Sequence, residues 1–546
     1  MSAARKLLIA VVPLIAAGPL IAFGPEYRCL FIIIVLSTYW IGEILPVGVT
    51  SLLPLVMFPA LHVVSSRSIS QVYFKDSIVL FMSTLIMAMA VEATGLHRRI
   101  ALKLLSKVGT SRPVMLFGFM AVTCFISFFV SDTACTALMC PTAVALLTSM
   151  ADAAAANDVD HRQPTASSSS SSSSSASVAD KLGLAKMCKS DRAFCKALLL
   201  SCAHASLIGG TAIITSTGPN LVFRENLQKR YPNADVGMTY LQWMVFAMPP
   251  MLIYLVASFV VLVCYFMGPS ALWNSTPNRA LNASIKKRIA LMYTELGAIT
   301  FAEKSVFAFF VILIAAWITR DPGFAPGWSQ SLPDAAFVSD SVVGILIACL
   351  MFIWPRDPFD AVDPLRPILQ WSDMKAKYSW SCTLLIGAGY AISDGVDKSG
   401  LSHLIACTMR KLFNGMQALP LQVTITTTIV IMTEFASNVS TARIFIPISL
   451  VVAESMQLHP LYLSLPTTVA CSFAFMLPIS TPPNAIVYDT RVITMLEMIT
   501  VGFLLNICCI VITTLNMNTW TMLIFNLNSV PDTILGFNST FSNNEC

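Results

Sequence analysis

Two short polar triplets interrupt apolar stretches of this chain, Ser131-Asp132-Thr133 and Ser437-Asn438-Val439. Each has a hydroxyl four residues earlier, Ser127 and Thr433, and a proline ten residues later, Pro141 and Pro447. Two further motifs, Thr217-Gly218-Pro219-Asn220 and Thr481-Pro482-Pro483-Asn484, also lie in apolar surroundings. Such residues are suited to holding ions. A helix that starts at a polar tip has first N–H groups without intrahelical acceptors, and its dipole adds positive potential, which suits a carboxylate. Ser131, Thr133, Ser437 and Asn438 supply extra donors, and no Arg or Lys is required, so the empty site is inexpensive to desolvate. The prolines unwind their helices. Freed carbonyls beside the Ser127 and Thr433 hydroxyls are hard oxygen ligands for Na⁺, one cluster per motif set, which predicts at least two sodium sites.

These motifs belong to an internal repeat. Val91-Glu92-Ala93-Thr94-Gly95-Leu96 matches Val396-Asp397-Lys398-Ser399-Gly400-Leu401, and the two triplets and the two Pro motifs follow in the same order. Many secondary transporters are built from such duplicated halves, with binding at the midplane where they meet.

The elements that position the motifs are membrane helices. Of 546 residues, 56% are hydrophobic and 12% charged, about half the charged fraction of a soluble domain, and mean hydropathy is +0.72. A span needs about 20 mainly apolar residues. Candidates are 7–23, 29–45, 47–63, 77–95, 193–223, 241–267, 303–319, 338–354, 378–393, 460–487 and 497–525. The regions 113–150 and 420–455 are apolar but broken in the middle, and read as re-entrant hairpins whose irregular backbone must be surrounded by protein or a watery cavity. The expected fold is an all-α polytopic membrane protein of about eleven transmembrane helices plus two re-entrant hairpins in inverted repeats. Its expected divisions are a first span in 1–27, repeat 1 in 28–267, a cytosolic loop in 268–300, repeat 2 in 301–526 and an extracellular tail in 527–546.

A polar linker at 152–192 carries nine consecutive serines, 167–175, and is expected to be disordered. Basic residues in the linker and in the loops at 268–300 and 355–377 place them in the cytosol. The N-terminus is then cytosolic and the C-terminus extracellular, where Asn538-Ser539-Thr540 is a glycosylation acceptor. Most cysteines lie in apolar runs and read as small buried hydrophobes, and His204 as a packing residue. The scattered basic residues argue against nucleic-acid binding. With no HExxH, no GxSxG and no Asp-rich run, an enzyme is not expected, nor any organic cofactor.

The motif set resembles the divalent anion:sodium symporters, solute carrier family 13, over nearly the whole chain. The family's Ser-Asn-Thr triplets match Ser131-Asp132-Thr133 and Ser437-Asn438-Val439. The stretches GGTAIITSTGPN (209–220) and SFAFMLPISTPPNAIV (472–487) are similar to its fifth and tenth spans, TEFASN (433–438) to the approach to its second hairpin, and Arg320-Asp321-Pro322-Gly323-Phe324 is similar too. The resemblance implies a homodimer, an elevator motion and sodium-coupled uptake of succinate, malate or citrate across the plasma membrane. A sodium-independent carboxylate exchanger and a sodium/sulfate cotransporter are the alternatives. By position, one sodium site would involve Ser127, Asp132 and Ser216, and the other Thr433, Ala436, Asn438 and Ser480. Substrate would meet Ser131, Asp132, Thr133, Thr217, Ser437, Asn438 and Thr481. Asp489 and Arg491 replace uncharged residues after the second Pro motif, and two further departures carry charge: Asp132 stands where the family has Asn, and Arg443 where it has a small polar residue. They are expected to compensate each other across the site, the alternative being that Arg443 reaches away to water. Ser216, where the family often has Gly, is expected to narrow the pocket against citrate.

Overall fold

The computed structural model describes residues 18–41, 44–107, 111–159, 189–231, 238–272, 289–320, 327–333, 337–359, 363–378, 380–401, 416–478 and 480–528, with isolated positions between them. Most of the candidate first span, the serine run, residues 321–326 and Asn538 lie outside the described residues.

Among the described residues the fold is helical, with one isolated bridge between Pro355 and Pro367. The first half contains α1 (Pro25–Ile41), α2 (Pro54–Ala60), α3 (Ser66–Gln71), α4 (Asp76–Thr94), α5 (Leu96–Leu105), α6 (Arg112–Ser127), α7 (Asp132–Val159), α8 (Lys189–Gly210), α9 (Gly218–Arg230) and α10 (Tyr240–Leu262). The second contains α11 (Phe301–Arg320), α12 (Asp340–Met351), α13 (Trp371–Lys377), α14 (Trp380–Lys398), α15 (Ala418–Phe435), α16 (Asn438–Ser455), α17 (Pro460–Ala470), α18 (Pro482–Asp489) and α19 (Met495–Asn516).

Both hairpins form where the triplets break the apolar runs, α6–α7 turning at 128–131 and α15–α16 at 436–437. The long apolar stretches 193–223 and 460–487 are each two helices, α8–α9 and α17–α18, separated by unwound segments that end at Thr217 and Thr481. Two expectations need correction. The span expected at 47–63 is not one helix: it is divided into short pieces, with Pro54 starting α2 and Pro59 inside it, as proline's missing N–H dictates. The linker expected from 152 to 192 is helical at both ends. α7 continues to Val159, and α8 begins at Lys189. Ala153 to Ala156 are strong helix formers and extend α7.

The duplication is visible in backbone detail. Gly95 (φ 73°) and Gly400 (φ 79°) both close their helices in the left-handed region, which an L side chain resists. α10 and α19 both begin with a capping box, Thr239 with Gln242 and Thr494 with Glu497, and both end in a π-turn, Val263–Met267 and Met517–Thr521. The same two helices expose matching apolar stripes, Leu252, Val256 and Val260 on one and Ile507, Val511 and Leu515 on the other. Rows of exposed aliphatic side chains at helical spacing are surfaces for lipid. α8, by contrast, is buried on nearly all sides from Phe194 to Gly210, and brings the first break to the centre of the molecule.

A buried ion pair joins α5 to α11. Arg99 on α5 donates to Glu303 of α11 at 2.8 Å and to the carbonyls of Gly297 (2.9 Å), Leu296 (3.0 Å) and Ala298 (3.2 Å). Removing one member of a buried pair strands the other, at a cost of about 3–5 kcal/mol. Glu303→Ala is therefore expected to lower the unfolding temperature of the detergent-purified protein steeply, and Arg99→Met with Glu303→Met together to lower it far less. Equal losses for the single and double variants would show that the pair itself, rather than the stranded charge, carries the effect.

Candidate functional site

The two hairpin tips and the two unwound segments enclose one cavity of about 750 Å³. Ser131, Asp132 and Thr133 line it from the first hairpin, and Ser437 and Asn438 from the second. Thr217 and Thr481 line it from the breaks before α9 and α18, with Ser216 and Ser480 beside them. Thr133 and Asn438, from opposite halves of the chain, thus share a wall. The halves also touch here. A Cβ placed on Gly218 would lie 2.6 Å from a Val439 methyl, so only glycine allows the second tip this close to the start of α9.

Each tip is capped by its own serine. Ser131 Oγ accepts from the Ala134 amide at 3.4 Å, and Ser437 Oγ from the Ser440 amide at 3.2 Å. The amides at the very start of α7 and α16 have no intrahelical acceptor by position, so two helix N-termini present donors to the same space.

Behind each tip sits an oxygen cluster, and the two clusters match. Ser127 Oγ is 2.7 Å from the Ser206 carbonyl and 3.1 Å from Asp132 Oδ1. Thr433 Oγ1 is 2.7 Å from the Cys471 carbonyl and 3.1 Å from Asn438 Oδ1. Each hydroxyl has one hydrogen to offer two acceptors, so both clusters hold more oxygen lone pairs than donors. In the unwound segments, Asn220 Nδ2 binds the carbonyls of Ile213 (3.0 Å) and Gly210 (3.1 Å), and Asn484 Nδ2 those of Ala474 (2.8 Å) and Leu477 (3.1 Å). The other side-chain oxygens of these asparagines are buried without a partner among the described residues, as are the hydroxyls of Thr217 and Thr481. Buried oxygens left over in matching pairs fit a hard cation. Ser127 and Thr433 are fully buried and Ala436 nearly so, which puts these three a layer behind the cavity wall.

Asp132 and Arg443 line the cavity from the two hairpins with no salt bridge between them. The Asp132 carboxylate is met by Ser127, and the Arg443 stem lies over Gly389 of α14. Arg443 is 1% exposed and does not reach away to water. His204 is buried, 3.3 Å from Ser258 Oγ and edge-on to Phe475, in keeping with a packing role.

Two positioning groups were not singled out from the sequence. Asn220 and Asn484 were legible as part of their motifs, but their stapling of the unwound carbonyls was not. Glu434 likewise lies within the TEFASN stretch, but its long-range partners were not legible. Its carboxylate accepts from the amides of Phe475 (2.9 Å), Met476 (3.0 Å) and Leu477 (3.2 Å) and from Asn506 Nδ2 (2.8 Å). It thereby holds the second unwound segment, whereas the matching residue of repeat 1 is Phe128.

Helical halves duplicated around a shared, donor-lined cavity define a secondary membrane transporter. The chain belongs to the family described as the sodium:sulfate symporter transmembrane region, which matches residues 3–527. It is 68% identical over 536 residues to the sodium-dependent high-affinity dicarboxylate transporter 2 of Caenorhabditis elegans, covering 97% of this chain and 96% of that one. It is 37% identical to the human Na(+)/dicarboxylate cotransporter 3 (97% and 94% covered) and 35% identical to the rat Na(+)/citrate cotransporter (92% of each). The crystal structure of the Alcanivorax borkumensis YdaH transporter shares the fold, with a TM-score of 0.51 at 9% identity over 81% of this chain and 84% of that one.

A buried donor stripped of its acceptor costs about 1–3 kcal/mol. Glu434→Ala strands four, and is expected to lower the unfolding temperature of the purified protein markedly, with Glu434→Gln intermediate because one acceptor oxygen remains. Unchanged unfolding of the alanine variant would show that the segment from Phe475 to Leu477 is held by other contacts.

Proposed function

We propose that this chain is a sodium-coupled symporter that imports small di- or tricarboxylates of the succinate, malate and citrate class across the plasma membrane. The observation that carries the reading is the convergence of two helix N-termini, from α7 and α16, on one cavity, with an oxygen-rich cluster behind each. Two facing donor ends match two carboxylates of one molecule. The relatives named as sodium-dependent dicarboxylate and citrate carriers support both the anion and the cation.

In this reading one sodium ion is held by Ser127, Asp132 and Ser216 with the carbonyls around the first break, and a second by Thr433, Ala436, Asn438 and Ser480. Substrate contacts Ser131, Thr133, Thr217, Ser437, Asn438 and Thr481. The order of binding follows from charge. An anion entering an empty cavity meets the Asp132 carboxylate, whose repulsion in a dry site is worth several kcal/mol. Sodium beside Asp132 removes that repulsion, so cation binding precedes and favours anion binding, which is coupling. The homodimer, the elevator motion, the cytosolic N-terminus and a glycosylated Asn538 belong to the same reading through the family resemblance.

Uptake of radiolabelled succinate, citrate and sulfate, with sodium or with choline, tests it. Succinate uptake is expected to require sodium, with citrate slower and sulfate absent; equal uptake in choline would make the carrier an exchanger, and sulfate uptake alone would reassign the anion. Thr433→Ala removes one cation ligand and is expected to raise the sodium concentration for half-maximal uptake by about tenfold, the equivalent of ~1.4 kcal/mol.

A further inference from the structure

The described helices pack in two groups. The two hairpins pack on α8, α9, α17 and α18, whereas α4 packs with α11 and α12, and α14 with α1, α2 and α4. The cavity lies where the groups meet, since Phe81 and Leu85 of α4 and Leu313 and Trp317 of α11 line it together with the hairpin tips. Carriers built from inverted repeats work largely by moving one such bundle against the other, so that the site opens to one face and then to the other. A contact that crosses the seam is therefore made and broken in each cycle.

Three cations on α9 cross the seam. Arg224 pairs with Asp340 of α12. Arg230 reaches Asp397 of α14 at 3.0 Å, and Lys229 stands 3.6 Å from both Asp394 and Asp397. Both sides hold further partners that stay with them when the seam parts. Arg230 also binds Glu454 of α16 at 2.5 Å, Asp340 also takes Arg320 of α11 at 3.1 Å, and Asp394 takes Lys398 within α14 at 2.8 Å. Parting the seam thus avoids the large cost of a buried charge stripped of every partner. On the topology read from the basic loops, with 152–192 and 355–377 in the cytosol, the end of α9, the start of α12 and the end of α14 all come to the outer face.

The other half cannot make the same contact. Counted from Asn220 and Asn484, the places of Arg224, Lys229 and Arg230 are taken by Tyr488, Ile493 and Thr494, none of them a cation. The acid is kept, with Glu92 in repeat 1 where Asp397 stands in repeat 2. In inverted repeats the two access states exchange the parts played by the halves, so a contact that one half alone can make lowers one state and not the other. We propose that α9 is an electrostatic latch, which holds the outer side closed and weights the empty carrier toward this conformation. The latch rests on the carrier reading above and not on its choice of anion.

A carrier whose outward-open form is a minor fraction binds external substrate with an affinity reduced by that fraction. Loosening the latch therefore improves apparent affinity at the outer face, which damage to the binding site does not do. The test measures uptake and efflux by the full chain in proteoliposomes of one orientation at saturating sodium. It uses succinate, or whichever anion the uptake assay assigns, so that the substrate reading and the latch fail separately. Asp397→Asn leaves Arg230 on Glu454 and Lys229 near Asp394, and Arg224→Gln leaves Asp340 on Arg320. Each is expected to lower the KM at the outer face by about threefold or more without lowering it at the inner face. Asp397→Glu keeps the charge and is expected to behave as the unaltered protein. If the buried Arg224→Gln does not assemble, Asp397→Asn, at an exposed position, decides alone. The same split with the faces exchanged would uphold the latch and invert the topology. Smaller changes at both faces in these variants, or equal changes at the two faces, would overturn the proposal.

Discussion

A helix broken inside a membrane leaves backbone groups that lipid cannot satisfy, and this fold is arranged around four such breaks. Two are the hairpin tips at 128–131 and 436–437, and two are the unwound segments before α9 and α18. Each is satisfied from within. Serine caps serve the tips, Asn220 and Asn484 bind carbonyls of the unwound segments, and the Ser127 and Thr433 hydroxyls bridge from tip to neighbouring helix. What remains unsatisfied faces one cavity or the oxygen clusters behind it. The donors left over suit an anion and the oxygens left over suit cations. Binding chemistry here is the remainder of the backbone accounting.

Much of this was legible in the sequence because it depends on residue types with few alternatives. The polar triplets break their apolar runs, Pro219 and Pro482 start new helices after the unwound segments while Pro141 and Pro447 stay inside α7 and α16, and Gly95 and Gly400 mark left-handed helix ends that the repeat makes recognisable. The paired capping boxes, Thr239 with Gln242 and Thr494 with Glu497, stand in the sequence at the starts of the apolar stretches. Long-range contacts were not legible at all. Arg99 finds Glu303 some two hundred positions away, and Glu434 finds amides about forty positions away. Nothing local distinguishes these residues from charges at a helix end. The continuation of α7 into the expected linker is a local matter that was outweighed by overall polarity: an alanine run propagates a helix whatever follows it.

The halves are alike in backbone and unlike in charge. Thr433 repeats Ser127, Ser480 repeats Ser216 and Asn484 repeats Asn220, each sharing at least one bond with its counterpart. Glu434 replaces Phe128, and its carboxylate gathers three successive amides that have no such acceptor in the first half. It lies behind the unwound segment it holds and is not part of the cavity wall. Asp132 and Arg443 are different, because both lie on the cavity wall. Duplicated geometry supplies two ends for a ligand, and substitutions such as these decide whether the ends are equivalent.

The remaining buried charges explain how a short helix can hold one wall of the site. α9 begins at Thr217 on the cavity and ends in basic residues. Arg230 makes two bonds to Glu454 of α16, at 2.6 and 2.5 Å, and one to Asp397 of α14 at 3.0 Å. Tyr231 donates to the same Glu454, and Arg224 pairs with Asp340 of α12, which also takes Arg320 at 3.1 Å. Lys229 approaches Asp394 and Asp397 at 3.6 Å. A thirteen-residue helix is marginal alone, since most helical stability comes from tertiary contacts. Its C-terminal carbonyls favour cations, so basic residues there serve the helix and its neighbours at once. The bidentate tie to Glu454 joins α9 to the far end of the helix whose own start forms the second tip. Thr217 and Asn438 therefore stand at the cavity on two helices bound to each other at their other ends. A ligand that meets both residues finds their spacing set by a charged contact more than three turns away.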